Sequence, residues 1–542
     1  MPADRRYHTT VGVREWDLHA RHATRPAALG GAPSSGRDRG QHHRLHRDRV
    51  IWWQSRSARR AAGTAAWIAL GLYLAFCVAL RFVAYSDLWL DEAQTVDIAR
   101  HPIVQIPSLL RLDGSPPLYY LMLHGWMAVF GTGNLAVRSL SGIFGVVTLG
   151  LAVLAARRLG GAGAGWGTLA VLASSPFAIY YDTEARPYAL VVLITVLGWF
   201  ALCRVLERPR ALNLAALAAC VALLLYTQYW SLYLVGAVGL LCMVRVLWLW
   251  RRRGRPEVVP PLWAIGAICV GVALFLPWVP SFIFQARHTG TPWAPPANFD
   301  DVVLAIRQFA NAPNGPDTAT HWLAPITLAL IALAILARPL SRSAVRLDLR
   351  GHSPGRVLGA AVLITLVAAM AGGEISHSAY SDRYASVVFF PVVLLVGLGV
   401  ACFSDRRVRT GLVVVIAGLG LVTSVPNIWT NRTQAGAVAR VINAAGQPGD
   451  VVAYCPDQLG PATQRLLHSG FIQLTFPRDL PPAIVDWVDY AAVNRAGDPA
   501  GFARFLRDLA GPDHAIWVVW APGYLTYGSK CQSIVASLER AP

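Results

Sequence analysis

The chain has 542 residues, 55% of them hydrophobic and only 14% charged, against roughly 25% charged in a soluble domain. That composition excludes an ordinary soluble enzyme and points to a polytopic membrane protein. The net charge of +18 is carried by arginine, with Lys530 the single lysine. The arginines stand in short clusters between apolar runs, as membrane topology demands, so the charge is not a nucleic-acid-binding surface.

Residues 1–60 are polar, rich in Arg and His, and include GGAPSSGRDRG. No apolar core lies within the first 50 residues, so this is no signal peptide. The segment reads as a disordered, basic cytoplasmic tail or as the product of a start codon assigned too early. A spanning helix needs about 20 apolar residues. Suitable stretches lie near 64–83, 136–155, 163–180, 188–206, 211–227, 230–249, 261–282, 321–338, 357–373, 384–403 and 411–428, eleven in all. A twelfth apolar run, PPLYYLMLHGWMAVFG at 116–131, is ambiguous.

Arginine resolves that ambiguity. With the tail inside and 116–131 not spanning, Arg157-Arg158, ERPR (207–210), RRRGR (251–255), the 338–356 segment and DRRVR (405–409) all fall in the cytoplasm. A spanning 116–131 would flip every later cluster outward, against the positive-inside rule. The run is short, opens on Pro116-Pro117 and carries Tyr119, Tyr120, His124 and Trp126, which suits a helix lying at headgroup level. The expected topology is multi-pass in the plasma membrane. Segments 84–135, 283–320, 374–383 and 429–542 then share one extracytoplasmic face with Asp91, Glu92, Glu184, Arg186, His288, Glu374, His377, Asp382 and Arg383.

The adjacent acids of YSDLWLDEAQ (85–94) stand out, because a carboxylate beside hydrocarbon must face water or do work. They also fit a solvated helix start, since acids favour the first turn. Arg186 and Glu184 read either as a mutual pair or as site residues. Tyr226, Gln228, Tyr229 and Trp230 read as a sugar-pocket wall or as an interfacial aromatic belt. His124 reads as structural. His288 and Trp293, in an outer loop rich in Pro and Gly, read as a substrate lid or a plain connection. Glu374, His377 and Asp382 have ligand chemistry but no diagnostic spacing, so no metal site is assigned, and a divalent cation beside a lipid phosphate is left open.

After Trp429 the pattern changes. Residues 432–444 have helical spacing, with Gly436 interrupting it. PGDVVAYC (448–455) and HAIWVVWAP (514–522) read as buried strands, 460–468 and 530–540 as helices. The expectation is a small extracytoplasmic α/β domain at 429–542 following a membrane domain at 61–428. Six cysteines sit in apolar runs. Cys455 and Cys531 both fall in the outer domain, where an oxidising compartment predicts a disulfide.

Four stretches, WLDEAQT (89–95), SPPLYYLMLHGW (115–126), YYDTEARPYAL (180–190) and YSDRYASVVFFP (380–391), together resemble the GT-C superfamily of membrane glycosyltransferases. The closest branch is that of the protein O-mannosyltransferases and the lipid A aminoarabinose transferase, in an actinobacterial-type version, over about 80–430. LPWVPSFIFQ (276–285) and HTGTPWAPP (288–296) add to the likeness. The resemblance implies a mainly α membrane bundle and a polyprenyl-phosphate sugar donor. It implies inverting transfer of mannose or a pentose, on the outer face, to a lipid, polysaccharide or protein acceptor.

The resemblance assigns Asp91 as general base. Chemistry agrees: a carboxylate can take the proton of an attacking hydroxyl, and arginine suits the donor phosphate. Arg383 and Arg186 are the phosphate candidates, Glu92 a supporting acid, and Glu184, Tyr188, Gln228 and Tyr384 further substrate contacts. The rival readings are a transporter or flippase of lipid-linked glycans, a polymerase or ligase of lipid-linked oligosaccharides, and a scaffold.

Overall fold

The computed structural model describes residues 63–252, 255–291, 297–311, 317–339, 345–347, 353–376 and 379–540. The expected tail at 1–60, Trp293 and His377 lie outside them. A boundary between units falls after Gly71, and Leu72–Pro542 forms one compact unit.

From the N-terminal side the helices are α1 (Gly63–Ala79), α2 (Leu90–Ala99), α3 (Ile106–Asp113), α4 (Leu118–Phe130), α5 (Asn134–Ala173), α6 (Pro176–Asp182), α7 (Tyr188–Glu207) and α8 (Ala211–Thr227). Then come α9 (Ser231–Arg252), α10 (Arg255–Ala273), α11 (Val279–His288), α12 (Asp301–Gln308) and α13 (Asp317–Leu336). A short antiparallel ribbon, β1 (Ala337–Pro339) with β2 (Val345–Leu347), leads to α14 (Pro354–Ser376), α15 (Ser386–Ala401) and α16 (Arg406–Ser424). Among the described residues, seven helical stretches are long and apolar enough to cross a membrane, in α5, α7, α9, α10 continuing into α11, α14, α15 and α16; α1, α8 and α13 are apolar and shorter. Each of the eleven stretches read from the sequence lies wholly or mostly in one of these helices.

Two of the eleven fall within α5, which runs on through a break at Gly160-Gly161. Gly161 has φ 69°, a left-handed conformation that a side chain would strain. The bundle is built around α15. Its sequence SVVFFPVVLLVGLGVA is apolar on every side, and all but two of its residues are buried, as a central helix must be.

The C-terminal region begins with α17 (Ala435–Ala445) and holds a parallel sheet in the order β4-β3-β5. Strand β3 (Val451–Cys455) sits in the middle and is buried throughout, β4 (Ile472–Thr475) pairs Val451 with Ile472, and β5 (Ile516–Trp520) pairs Val451 with Ile516. A run as apolar as VVAYC belongs in the middle of a parallel sheet, covered on both faces. Strand β5, expected to be buried, is an edge strand with Trp520 exposed. Around the sheet pack α18 (Gly460–Gln464), α19 (Tyr490–Ala496), α20 (Pro499–Ala510) and α21 (Lys530–Glu539). Cys455, at the end of β3, is disulfide-bonded to Cys531 in α21. Gly436 does not break α17. A side chain there would clash with the Asp87 carboxylate, so glycine admits a close approach of the 84–89 loop.

Candidate active site

Helix α2 opens with Asp91 and Glu92, and the two carboxylates part at once, because consecutive residues on a helix point about 100° apart. Asp91 faces a cavity of about 500 Å³. Its Oδ2 lies 2.9 Å from Arg383 Nη1 and 3.7 Å from Arg186 Nη2. The Thr95 hydroxyl donates to the Asp91 carbonyl at 2.6 Å and holds the first turn.

Glu92, expected beside Asp91 as a second acid of the site, instead turns away into the protein and is fully buried. Arg138 grips it with two hydrogen bonds, 2.7 Å from Nε and 2.6 Å from Nη2, and the Ala185 amide donates to it at 2.9 Å. Burial alone would raise its carboxyl; the Arg138 guanidinium overrides that and holds it below the usual range. Arg138 also donates to the carbonyls of Ser86 and Asp87, at 2.7 and 3.2 Å. Arg138 therefore ties α5 to the 84–87 loop and to Glu92, and Glu92 carries the tie on to the corner at 183–187 through the Ala185 amide.

That corner carries Glu184 and Arg186, which do not pair with each other. Arg186 donates to Thr95 at 2.8 Å and to the Tyr120 hydroxyl at 3.2 Å. Glu184 accepts from the Trp89 indole at 2.7 Å. Its second oxygen is buried without a hydrogen bond, as is Arg186 Nε. Unsatisfied buried groups of this kind call for an explanation. Burial, and then the neighbouring Glu92 charge, push the Glu184 carboxyl up. Trp89 lines the cavity, and the Arg383 guanidinium carbon sits 5.4 Å from its ring.

The other sequence candidates lie further back. Tyr188 is buried, its ring 5.0 Å from that of Tyr181. Tyr384 packs 5.7 Å from Trp230, and its carbonyl accepts from Gln228 at 3.3 Å. None of Tyr188, Tyr384 and Gln228 lines the cavity that holds Asp91. Tyr229 is bonded to Gln285 and Trp278, and Tyr226 to the Leu274 carbonyl, so these two are packing residues. His124 bonds the Ala99 carbonyl at 2.8 Å, a structural role. His288 bonds Asp489 at 3.1 Å. Among the described residues no cluster of His, Cys, Asp and Glu is able to hold a metal.

Sequence reasoning missed three anchors. Arg138 is one. Arg432 is the second: it donates to the Thr183 carbonyl and hydroxyl at 2.9 and 2.7 Å and covers Tyr180 at 4.1 Å. Asp97 is the third, bonded to Arg465 and Gln464 of the C-terminal region. A signal existed for the two arginines. On the expected topology both lie on the outer side, where Arg is disfavoured, so each needed a buried partner. The cavity roof was missed as well. Gln458, Trp487, Tyr524, Leu525 and Thr526 of the C-terminal region close over Asp91 and Arg383.

Residues 114–280 match the family model described as dolichyl-phosphate-mannose-protein mannosyltransferase. Among solved structures, ArnT from Cupriavidus metallidurans bound to undecaprenyl phosphate superposes with a TM-score of 0.51 at 15% identity, over 84% of this chain and 90% of that one. The apo form of the same protein gives 0.51 and 15%, over 80% and 92%. The chain has the GT-C fold. With its apolar helices, that fold makes it a multi-pass membrane protein. The stretches WLDEAQT, through Trp89, Leu90 and Asp91, and YSDRYASVVFFP, through Ser381 and Arg383, line the cavity, while Arg186 of YYDTEARPYAL reaches Asp91 from behind that lining. No curated protein sequence matches the chain.

Proposed function

We propose that the protein is an inverting glycosyltransferase that moves one sugar, mannose or a pentose, from a polyprenyl phosphate to a hydroxyl outside the membrane. The observation that carries this reading is Asp91 Oδ2 at 2.9 Å from Arg383 and 3.7 Å from Arg186, at the floor of a cavity of about 500 Å³. One carboxylate and two guanidiniums are the groups such a reaction needs. The donor phosphate takes the arginine forks, which match its geometry. In taking Arg383 it leaves the Asp91 oxygen free to accept a proton. The acceptor hydroxyl attacks the anomeric carbon from the face opposite the phosphate, the C–O bond to the phosphate breaks, and the proton passes to Asp91. The polyprenyl phosphate departs as an anion held by arginine, so no strong acid is required.

Glu92 is a positioning residue in this scheme: with Arg138 it fixes the first turn of α2 and the corner bearing Arg186. The matching family and the lipid-bound ArnT neighbour favour a polyprenyl-phosphate donor over a transporter role. The disulfide favours an oxidising, extracytoplasmic side for residues 429–542, with the site on that face and the N-terminus in the cytoplasm.

The test is transfer of radiolabel from polyprenyl-phosphate mannose, and then from the pentose donor, to a membrane lipid extract in nanodiscs. Wild type should transfer label, and Asp91→Asn should lose transfer by about 10²–10⁴-fold while still binding donor. Equal transfer by both proteins would remove Asp91 as base. No donor binding by wild type would move the transporter and scaffold readings ahead.

A further inference from the structure

The cavity has two unlike surfaces. Its floor carries the charge: Asp91 and Arg383 beside Trp89 and Ser381. Its roof brings two aromatic rings, an amide and a hydroxyl, from Trp487, Tyr524, Gln458 and Thr526, with Pro522, Gly523 and Leu525 between and beside them. Arg383 is the single cation among the lining residues, and Asp91 holds it. The cations nearest the roof in sequence are engaged elsewhere. Arg465 pairs with Asp97 at 3.1 Å and Arg478 with Asp486 at 2.8 Å, Arg495 donates to the Ala491 carbonyl at 3.2 Å, and Lys530 donates to the carbonyls of Arg495 and Gly497.

The roof is also braced from behind. Asp457, buried next to Gln458, accepts from the hydroxyls of Tyr490 and Tyr527 at 2.5 and 2.9 Å. Tyr490 in turn receives the Gln458 amide at 3.0 Å and packs 4.7 Å from Trp487. The disulfide joins the strand leading into Asp457 to the helix that follows the 522–528 loop. Ring faces held in place, with a few polar groups between them, make a preorganised binding wall.

Such a wall suits one class of ligand. The C–H faces of a pyranose or furanose lie against aromatic rings, and its hydroxyls meet the amide and hydroxyl groups between them. A phosphorylated headgroup would meet no counter-charge on the roof, because the one cation of the lining, Arg383, lies on the floor and is paired with Asp91. We infer that Trp487, Tyr524 and Gln458 form the acceptor subsite and that this subsite takes the neutral saccharide end of a glycan. The inference rests on the glycosyl-transfer reading for the identity of the attacking hydroxyl, while saccharide binding itself can be read without turnover.

The experiment uses the full chain in nanodiscs with mannotriose as probe and its phosphorylated form as charged competitor. Binding is followed by saturation-transfer NMR, and the acceptor KM by transfer from labelled polyprenyl-phosphate mannose. Wild type should bind mannotriose in preference to the phosphorylated form. Trp487→Ala and Tyr524→Ala should each raise the acceptor KM about tenfold, which is about 1.4 kcal/mol, and lose the NMR signal. Trp487→Phe keeps a ring face and should restore most binding, which separates a lost contact from a lost fold. Unchanged binding in both alanine variants would overturn the inference, as would preference for the phosphorylated probe or absence of mannotriose binding. Binding that depends on Trp487 in a protein unable to cleave the donor would sustain the subsite and sink the glycosyl-transfer reading instead.

Discussion

The floor and the roof of the cavity are built from different physics. The floor is charge locked by charge. Asp91, Arg186 and Arg383 meet above a second, buried tier in which Glu92 is held by Arg138 and Arg432 grips the Thr183 corner. The roof carries no ion pair across the cavity; its rigidity comes from rings and hydroxyls around one buried carboxylate, Asp457. A floor of this kind can stabilise a phosphate and move a proton. A roof of this kind can select a shape. On the proposed function, the difference separates what makes the reaction go from what chooses its acceptor.

Substitutions can break that contrast, and the largest effects should come from the floor. Arg138→Met leaves Glu92 buried and unpaired, which should cost about 3–5 kcal/mol, read as a lowered midpoint of thermal unfolding in detergent. Adding Glu92→Gln should return much of that stability, because the uncompensated charge goes with it. Asp91→Asn should do the reverse: transfer falls by orders of magnitude while the unfolding midpoint stays near that of wild type. Arg383→Lys keeps the charge and loses the fork. It should raise the donor KM roughly tenfold and leave the acceptor KM little changed, in contrast to the roof variants.

A pH dependence belongs to the roof. Burial pushes the Asp457 carboxyl up from 3.8 to about 6, against the lowering effect of the Tyr490 and Tyr527 hydroxyls. A carboxyl whose folded value exceeds its unfolded one costs nothing below about pH 4. The cost grows as pH rises toward 6 and then stays constant. It should reach on the order of 2–3 kcal/mol. Hydrogen exchange at α19 and α21 should therefore quicken between pH 4 and 6, after correction for the intrinsic rate. Asp457→Asn should flatten that response and protect the region at pH 7.

Much of the bundle was legible because long apolar runs leave few choices. The same charge accounting brought Asp91, Arg186 and Arg383, nearly 300 residues apart at the extremes, onto one face. The fate of Glu92 was not legible, since adjacent acids share a composition and differ only in the face of α2 they occupy. The role of Arg138 depended on that same unseen geometry. Strand β4 escaped notice because it is only four residues long and opens on an exposed Ile472. The roof loop at 522–526 has no periodicity to read, and its position follows from the sheet that carries it.

The buried tier has a consequence for how the chain is made. Arg81 emerges from the ribosome 101 residues before its partner Asp182, Glu92 emerges 46 residues before Arg138, and the Ala185 amide follows Glu92 by 93. Until Arg138 has been synthesised, Glu92 has no buried cation to hold it, and Arg81 waits longer, for Asp182. A chain halted before residue 138 therefore holds an unpaired Glu92, and one halted before residue 182 an unpaired Arg81. The last of these bonds, from the Ala185 amide to Glu92, waits for the corner between α6 and α7.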